Sequence, residues 1–407
     1  MNWATVKLES LCSKITDGSH NPPKGIESGK YLMLSSKNIF HDEINFDNPR
    51  YLTKEDFLQE NKRTDISAND ILLTIVGTVG RVAIVSNKHS KFTLQRSVAV
   101  LKPIVNLVAP RFLMYLLQTM TGDLLAGARG VAQKGIYLKQ IRELEVFLPP
   151  LAEQKKIVEV LDAVNSLRQK DQQLVEHYAA LSKSLFFEMF GNPIANTKSW
   201  QVKQLKDLSI KIHSGTTPKG GKKVYVEKGI ILLRSQNVWK NKLELDNAVY
   251  IDNNTHNKMR KSSLKNRDIL MTKTGRINTE NSSLGRAAMF LGEDDSANVN
   301  GHVYLIRLQK NVLNEFVLFI LTTHEYREYI RRVCVGGIDK RQINKEHLEK
   351  FPIIYPPIDL QKQFVERLQA IERQKQQTQA SLEKSEILFN SLLQRAFKGE
   401  LTGSKAA

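Results

Sequence analysis

The stretch SHNPPKG, which runs from Ser19 to Gly25, contains the residues whose types and spacing come closest to a catalytic motif. Asn-Pro-Pro followed by an aromatic residue is the motif of enzymes that methylate an exocyclic amine of a DNA base. That reaction uses the aromatic ring to stack on a base that has been flipped out of the duplex. The fourth position here is Lys24, which has no aromatic face. The motif is therefore incomplete for methyl transfer.

The same part of the chain occurs a second time. WATVKLESLCSKITDGSHNPPKG, beginning at Trp3, matches WQVKQLKDLSIKIHSGTTPKG, beginning at Trp200. The other matching pairs, in chain order, are YLMLSSKNI and IILLRSQNV, NDILLT and RDILMT, GRVAIV and GRAAMF, and LPPLAEQKKIVEVLDAV and YPPIDLQKQFVERLQAI. The offset between matched residues rises from 197 at the tryptophans to 207 at the prolines. The chain is therefore a duplication of roughly 200 residues in which each copy has its own loop insertions.

The duplication changes the interpretation of the Asn-Pro-Pro motif. The second copy reads SGTTPKG, so it keeps the Pro-Lys-Gly turn and lacks the Asn-Pro pair. We therefore interpret Asn21 to Gly25 as a loop in which proline fixes φ and glycine allows positive φ. The sequence also lacks a glycine-rich turn between a strand and a helix that could hold S-adenosylmethionine. We expect no methyl transfer by this chain and no cofactor bound to it.

The composition argues against several other classes of site. The nine histidines are scattered, without a His/Cys cluster at metal-ligand spacing, and there is no phosphate-binding Walker motif. We therefore expect no catalytic residues and no metal site. The two cysteines, Cys12 and Cys334, are too few for a disulfide framework, which favours a cytoplasmic location. The dense apolar run from Phe316 to Leu321 is too short to cross a bilayer, and the start of the chain has no secretory signal, so we expect no membrane contact.

The charge of the chain indicates a polyanionic partner. Its 407 residues include 60 lysines and arginines and 42 acidic residues, which gives a formal charge of +18. Nucleic acid is the usual partner of such a protein, because each phosphate that a basic residue neutralises releases condensed counterions. We therefore expect a nucleic-acid partner.

Each copy begins with a globular stretch, residues 1–150 and residues 197–356. Short runs of β-branched and aromatic residues, such as ILLTIV and HVYLIRL, alternate with loops rich in glycine, asparagine, aspartate and lysine. This pattern predicts strands joined by irregular loops. Each copy also has one apolar helical run, which begins at Pro110 in the first copy and at Asn314 in the second. The predicted fold class is α/β, with a mixed α+β domain built on a twisted sheet in each copy.

Each copy ends with a long helical segment, residues 151–192 and residues 357–399. Both segments are rich in Gln, Lys, Glu and Leu, and each follows two consecutive prolines, which prevent the helix from extending backwards. A glycine ends each run. We predict helices over residues 152–190 and 360–397, each about 55–60 Å long at about 1.5 Å per residue.

Both long helices share one heptad frame. In the first helix the a and d positions are Ile157, Leu161, Val164, Arg168, Asp171, Val175, Tyr178, Ser182, Leu185 and Met189. In the second they are Phe364, Leu368, Ile371, Lys375, Thr378, Leu382, Ser385, Phe389, Leu392 and Ala396. The ends of each seam are apolar and the centre is polar, with Arg168 and Asp171 in one helix and Lys375 and Thr378 in the other.

An isolated helix of this length is marginally stable, so we predict that the two seams pack together as an antiparallel coiled coil. That pairing would bring Asp171 and Lys375 to the same level and use the polar layer to fix the register. The alternative is that the central polar positions are ordinary solvated residues.

The order of these segments resembles the specificity subunit of type I restriction-modification systems. The phrases that carry the resemblance are PPLAEQKKI and PPIDLQKQF at the helix starts and SLFFEMFGN and SLLQRAFKG at the helix ends. The resemblance covers essentially the whole chain and includes its duplicated arrangement. The globular halves match only weakly, as expected for domains that vary with the DNA sequence they read.

The resemblance implies a division of labour between subunits. Each globular half would be a target recognition domain that reads one part of a split site on double-stranded DNA, and the two helices would space the halves. Two modification subunits would supply methyltransferase activity and S-adenosylmethionine, and restriction subunits would supply translocation with ATP and magnesium. The chain itself would not be an enzyme. Alternatives are the same architecture in a type IIB-like or solitary methylation system, and a coiled-coil scaffold that binds only protein.

Differences between the two copies select loop residues that could contact DNA. SSKNI aligns with RSQNV, so Ser35 is replaced by Arg234 and Lys37 by Gln236 in the second copy. An arginine can bind guanine through two hydrogen bonds, and a glutamine can bind adenine in the same way. TLQRSVAV is aligned with ANVNGHVYL so that Gln95 matches Asn298. The candidates in residues 1–150 are Lys37, Asn38, Thr78, Gln95, Arg96, Lys134 and Lys139. The candidates in residues 197–356 are Arg234, Gln236, Asn237, Lys273, Thr274, Arg276, Asn278, Asn298, Lys340 and Arg341.

The basic residues of the last loop in each copy are expected to contact phosphates. They are Lys134 and Lys139 in the first copy and Lys340 and Arg341 in the second. The alternative for the candidates is a polar side chain that faces solvent at a strand end.

Overall fold

The computed structural model describes residues 3–40, 42–88, 91–128, 135–277, 279 and 281–401. The chain divides into two compact units, one made of Met1–Gln173 with Gln379–Ala407 and the other of Leu174–Thr378. Each unit contains one globular domain together with part of each long helix.

The first domain is a mixed α/β domain, as predicted. Its strands are β1 (Ala4–Lys7), β2 (Cys12–Asp17), β3 (Tyr31–Leu34), β4 (Ile39–Phe40), β5 (Glu43–Ile44), β6 (Arg50–Leu52), β7 (Ile71–Thr74), β8 (Val82–Ile84), β9 (Phe92–Leu94), β10 (Val98–Pro103) and β11 (Glu145–Leu148). Its helices are α1 (Lys54–Thr64), α2 (Pro110–Thr119), α3 (Thr121–Gly127) and α4 (Leu138–Arg142), and the long helix α5 (Leu151–Phe190) follows. Pro110 begins α2 because that position needs no backbone N–H.

Two sheets pack face to face in this domain. β2, β10, β7 and β8 form an antiparallel sheet in that order, and β6, β3 and β9 form a second sheet in which β3 and β9 are parallel. Leu72 of β7 packs in a core cluster with Leu34 and Leu94 of the second sheet. Ile71 and Leu73 face the other way, into the cluster that contains α2. Both faces of β7 are buried, which fits its three consecutive apolar residues Ile71, Leu72 and Leu73.

The second domain repeats this fold. Its strands are β12 (Val202–Gln204), β13 (Ser209–Ser214), β14 (Tyr225–Val226), β15 (Ile230–Leu233), β16 (Val249–Ile251), β17 (Ile269–Thr272), β18 (Thr274–Arg276), β19 (Ala287–Met289), β20 (Ala297–Val299), β21 (Val303–Leu308), β22 (Val335–Gly336), β23 (Lys340–Gln342) and β24 (Pro352–Ile354). Its helices are α6 (Asn253–Lys258), α7 (Asn314–Thr322), α8 (His324–Val333) and α9 (Lys345–Glu349), and the long helix α10 (Ile358–Phe397) follows.

The strand order shows the duplication directly. The sheet β13-β21-β17-β19 repeats β2-β10-β7-β8, and the parallel pair β15–β20 repeats β3–β9. Leu270 of β17 faces the core cluster between the sheets, whereas Ile269 and Met271 face the cluster that contains α7. A further small sheet, β18-β23-β22, lies beside the end of β17.

The long helices α5 and α10 contain 40 residues each and pack together in opposite directions. In the first unit, Ile157 near the start of α5 shares a core cluster with Phe389 and Ala396 near the end of α10. In the second unit, the rings of Phe186 near the end of α5 and Phe364 near the start of α10 are 5.4 Å apart. All of the predicted seam positions are buried or half-buried, which confirms the antiparallel coiled coil.

The polar centre of the seam has a different register from the predicted one. The carboxylate of Asp171 accepts hydrogen bonds from the hydroxyls of Ser381 at 2.9 Å and Ser385 at 3.4 Å. These serines follow Lys375 by six and ten residues along α10. The ammonium of Lys375 instead lies 3.7 Å from Glu372 on its own helix. The prediction that Asp171 lies level with Lys375 is therefore wrong.

The two other polar seam residues find partners close by. The Arg168 guanidinium lies 4.5 Å from the ring centre of Phe389 and 3.7 Å from the carboxylate of Asp42. Burial raises the pKa of Asp42 to about 6, although Arg168 acts in the opposite direction. The Thr378 hydroxyl donates to the carbonyl of Gln374 on its own helix at 3.0 Å.

The cysteines and acidic side chains show no sign of a metal or disulfide site in the described part of the chain. Cys12 and Cys334 are both buried and unpaired. Within the described ranges, His, Cys, Asp and Glu side chains form no group that could hold a metal ion. No helix among the described residues has both the length and the apolar character needed to span a membrane.

Candidate nucleic-acid interface

Four loops of the second domain meet at one edge of its sheets, after β13, β15, β17 and β20. The backbone N–H of Asn300 donates to the carbonyl of Leu233 at the end of β15 at 2.9 Å, and that of Thr216 donates to the last residue of β20 at 3.1 Å. The N–H of Lys273 donates to the carbonyl of His302 at 2.8 Å. The strand β23 pairs with β18 beside these loops. We call this surface the second loop face, and it consists of residues 216–217, 234–236, 273–276, 300–302 and 340–342.

The first domain builds an equivalent surface. The N–H of Gln95 after β9 donates to the carbonyl of Leu34 at 2.9 Å, and that of Ser19 after β2 donates to the last residue of β9 at 2.7 Å. The N–H of Ile75 after β7 donates to the carbonyl of Ser97 at 2.9 Å. We call this surface the first loop face, and it consists of residues 19–20, 35–37, 75–78 and 95–97.

A glycine permits the close contact between loops in each face. A β-carbon added to Gly18 would lie 2.1 Å from the carbonyl oxygen of Leu94, and one added to Gly215 would lie 2.2 Å from that of Asn300. Any other residue at these positions would therefore push the loops apart. The loops that form both faces are held by the backbone, which leaves their side chains free to differ.

The family of the chain follows from known proteins that resemble it. A family model described as the type I restriction modification DNA specificity domain matches residues 1–177 and again residues 197–384. The chain belongs to the type I restriction-modification DNA specificity family. The two matches confirm both the resemblance and the internal repeat, and they assign DNA sequence recognition to this specificity protein.

Individual relatives cover different shares of the specificity protein. The type I restriction enzyme EcoBI specificity subunit of Escherichia coli is 32% identical over 150 residues, which span 36% of this chain and 30% of that subunit. The MjaVIII specificity subunit of Methanocaldococcus jannaschii is 22% identical over 332 residues, 77% of this chain and 74% of that subunit. The crystal structure of the type I restriction-modification S subunit from M. genitalium has a TM-score of 0.59 at 16% identity and covers 98% of this chain and 96% of that one. The structural likeness confirms the fold.

Two candidate residues of the specificity protein are buried and form hydrogen bonds with the backbone of the loops. Asn38 is 6% exposed; its Oδ1 accepts the N–H of Ser35 at 2.9 Å, and its Nδ2 donates to two backbone carbonyls. Asn237 is 1% exposed; its Oδ1 accepts the N–H of Arg234 and its Nδ2 donates to the carbonyl of Glu244, both at 2.9 Å. Because these amides are buried and satisfied, we assign both asparagines to the framework of the turns after β3 and β15.

Asn298 also lies inside the domain. It is fully buried, its Oδ1 is 2.5 Å from Nδ1 of His256, and its Nδ2 donates to a backbone carbonyl. Comparison of the parallel strand pair in each domain shows that Asn298 corresponds to Thr93 and that Asn300 corresponds to Gln95. The alignment of Gln95 with Asn298 is therefore wrong by two residues, and Asn300 takes the surface position.

The remaining candidates differ in their exposure. Those that are exposed on the loop faces are Lys37, Thr78, Arg96, Gln236, Arg276 and Lys340. Those that are half-buried there are Gln95, Arg234, Lys273, Thr274 and Arg341. Lys139 is exposed on α4, outside the first loop face, and its ammonium lies 3.8 Å from Glu143. Lys134 and Asn278 lie outside the described residues.

Arg234 is held in position at the start of the turn after β15. Its Nη2 donates to the carbonyl of Asn247 at 2.7 Å. Its Nε is buried and has no hydrogen-bond partner among the described residues. A side chain that is already fixed loses less conformational freedom when it binds a base edge.

The small sheet β18-β23-β22 contains four candidates of the second domain: Thr274, Arg276, Lys340 and Arg341. The pairing of β18 with β23 places Arg276 opposite Lys340 and Gly275 opposite Arg341. The Nε of Arg276 also lies 3.2 Å from the carboxylate of Asp339. The strands β22 and β23 with their connecting turn, residues 335–342, therefore form a basic ribbon at the rim of the second loop face. Arg276 of β18, which is far away in the sequence, lies beside it.

A lysine-rich loop begins directly after Thr217 of the second loop face, and the match between the two copies includes only its Pro-Lys-Gly turn. Its exposed lysines are Lys219, Lys222, Lys223 and Lys228. Residues 197–356 contain 28 lysines and arginines against 16 acidic residues, whereas residues 1–150 contain 19 against 14. The signal lies in the run PKGGKK, which a count of charge for each domain would detect.

Proposed function

We propose that each loop face reads one half of a bipartite site on double-stranded DNA. The observation that carries this proposal is that the same loops meet at the equivalent edge of both domains, while their surface side chains differ. Lys37 corresponds to Gln236, and Arg96 corresponds to Gly301. Two faces with one scaffold and different surface groups are suited to reading two different sequences.

The side-chain chemistry divides the second loop face into two kinds of contact. Gln236 can bind adenine, and Arg234 can bind guanine, through paired hydrogen bonds in the major groove. Lys340 and the lysines of the adjoining loop are suited to phosphates, because an ammonium is a point charge without the planar geometry that matches a base edge. On this proposal the lysine-rich loop after Thr217 supplies affinity for DNA, and the turns after β15 and β20 supply sequence discrimination.

We further propose that the coiled coil spaces the two domains and holds the partner subunits. An exposed apolar stripe runs along α5 with a spacing of seven residues. Its members are Val160, Leu167, Leu174 and Leu181, which are 40–47% exposed. None of them belongs to the seam between α5 and α10, so the stripe is available to the apolar face of a partner helix.

Two modification subunits with S-adenosylmethionine, and restriction subunits with ATP and magnesium, would complete the assembly. The specificity protein would then recognise the DNA and position its partners, without contributing a catalytic residue. This division fits the incomplete Asn-Pro-Pro motif, since Arg50 donates to the carbonyl of Pro23 at 2.8 Å and so holds this stretch as a loop.

Exchange of residues 1–150 for the equivalent domain of a relative tests the bipartite reading. The chimaera is expressed with its modification subunits, and sequencing of the methylated bases in the host genome gives the recognised motif. We expect one half of the motif to change and the other half to stay, because the two loop faces are separate. A change in both halves contradicts independent reading.

Substitution of the α5 stripe tests the docking proposal. Leu167→Glu combined with Leu174→Glu should reduce co-purification of the modification subunits by at least roughly tenfold, since it places two charges in an apolar contact. The matched control is Ser166→Glu combined with Gln173→Glu, which adds the same charge at exposed neighbouring positions. Circular dichroism verifies that both variants fold. Equal co-purification of the two variants contradicts docking on this stripe.

A further inference from the structure

An apolar side chain protrudes at the tip of the basic ribbon. Ile338, in the turn between β22 and β23, is 89% exposed, the highest value for a large apolar residue in the described part of the chain. Such exposure leaves the side chain in water, where it adds nothing to the core of the domain. An exposed isoleucine on a surface that binds a ligand is suited to an apolar group of that ligand.

The turn that carries Ile338 is built by paired strands. Val335 lies opposite Gln342, and Gly336 lies opposite Arg341. Gly336 has φ 135°, and a β-carbon there would lie 2.7 Å from a backbone oxygen of the facing strand, so only glycine fits. The same strand β23 pairs with β18, which anchors the ribbon to the second loop face.

The charges around Ile338 favour DNA as the ligand. Arg276, Lys340 and Arg341 flank it, and the single carboxylate of the turn, Asp339, is paired with Arg276 at 3.2 Å. The major groove of DNA admits a two-stranded β-ribbon, and its one apolar group is the C5-methyl of thymine. A basic ribbon with an apolar tip matches both features.

The first copy has an apolar residue at the corresponding position in the sequence. In the first domain Gly135 forms a β-bridge with Val76, and in the second domain Gln342 pairs with Thr274. Gly135 and Gln342 are therefore equivalent positions of the two copies. Four residues before Gly135 is Val131, and four residues before Gln342 is Ile338. Val131 lies outside the described residues, so the correspondence is one of sequence position.

We propose that the ribbon from Val335 to Gln342 enters the major groove and that Ile338 packs on the C5-methyl group of a thymine in the half-site read by the second domain. The contact specifies a T·A pair, because a C·G pair presents no methyl group there. The proposal rests on the proposed function, in that the second loop face must read DNA.

The test compares thymine with deoxyuridine, which lacks only the C5-methyl group. The specificity protein in complex with its modification subunits is titrated with duplexes in which each thymine of the half-site is replaced in turn. At one position the replacement should weaken binding of the wild type by about fourfold, the effect of one buried methyl group. Ile338→Ala should bind the thymine duplex more weakly than the wild type does, and at this position it should not distinguish thymine from deoxyuridine.

Leu291→Ala provides the matched control, since Leu291 is 76% exposed in the same domain but lies outside the ribbon. It should respond to deoxyuridine as the wild type does. The proposal is overturned if Ile338→Ala keeps the full response, if it weakens every sequence alike, or if the half-site contains no T·A pair. Failure of the underlying DNA reading is distinct, because the wild-type complex would then show no preference for its own methylated motif.

Discussion

Replacing Lys222 and Lys223 by glutamine should lower the salt dependence of DNA binding without altering the sequence that is read. Both lysines are exposed on the loop that leaves the second loop face after Thr217. Each lost phosphate contact reduces the slope of log affinity against log salt by about 0.9, so the double variant should lose about 1.8. With that difference, the affinity advantage of the wild type should be about twelvefold larger at about 50 mM salt than at about 200 mM salt.

Fluorescence anisotropy with a labelled duplex of random sequence measures these slopes on the complex with the modification subunits. The matched control is Lys206→Gln combined with Lys310→Gln, which removes the same charge from the opposite edge of the domain. Lys206 precedes β13 and Lys310 follows β21, whereas the second loop face lies after β13 and before β21. The control should keep the wild-type slope. An unchanged slope in the Lys222 and Lys223 variant, or an equal loss in both variants, would refute the assignment.

Three further predictions concern single residues. Asn237→Ala should lower the free energy of unfolding by about 2–4 kcal/mol, because it leaves the N–H of Arg234 and the carbonyl of Glu244 unpaired; urea denaturation measures this, and the exposed Gln236→Ala should be neutral. Burial raises the pKa of Asp42 from 3.8 to about 6, so the charged form of this side chain destabilises the fold as pH rises. Asp42→Asn removes that charge and should stabilise the chain by up to about 3 kcal/mol at about pH 8, and not at all below about pH 4. Thermal melts at the two pH values measure this, and an equal shift at both contradicts it. Arg234→Ala should relax discrimination at one base pair by about 1–3 kcal/mol in methylation assays on singly substituted duplexes, whereas a uniform loss would indicate a framework role.

The bounds of the long helices follow from local signals in the sequence. The predicted ranges 152–190 and 360–397 differ by one and two residues at their starts from Leu151–Phe190 and Ile358–Phe397. Two prolines define each start, and Gly191 and Gly399 have the positive φ, 73° and 70°, that ends a helix. These signals lie within a few residues of the boundary they define.

The register of the coiled coil depends on contacts that the heptad pattern does not contain. The seam predicts which faces meet, and it is compatible with more than one alignment of the two helices. Tyr115 of the first domain packs against Phe389 of α10, with ring centres 6.0 Å apart, and Asp171 then faces the serines Ser381 and Ser385. The register therefore depends on the tertiary structure of the first domain.

The loop faces could be predicted in part. The differences between the two copies select loops that meet at one edge of each domain, and their contact with DNA stays a prediction. The sequence alone matches Gln95 with Asn298, whereas the strand pairing within each domain shows that Gln95 corresponds to Asn300. The proximity of Arg276 and Lys340, which are 64 positions apart, depends on the pairing of β18 with β23. A long-range strand pair has no local pattern that could predict it.

We propose that each loop face reads its own half of the DNA site, and two sets of point substitutions can separate the two faces. Gln95→Ala with Arg96→Ala alters the first loop face, and Gln236→Ala alters the second. Each variant is expressed with the modification subunits, and sequencing of methylated bases in the host genome gives the recognised motif. The first variant should relax one half of the motif only, and the second should relax only the other half. Relaxation of both halves by either variant, or of neither half by both variants, would contradict the claim.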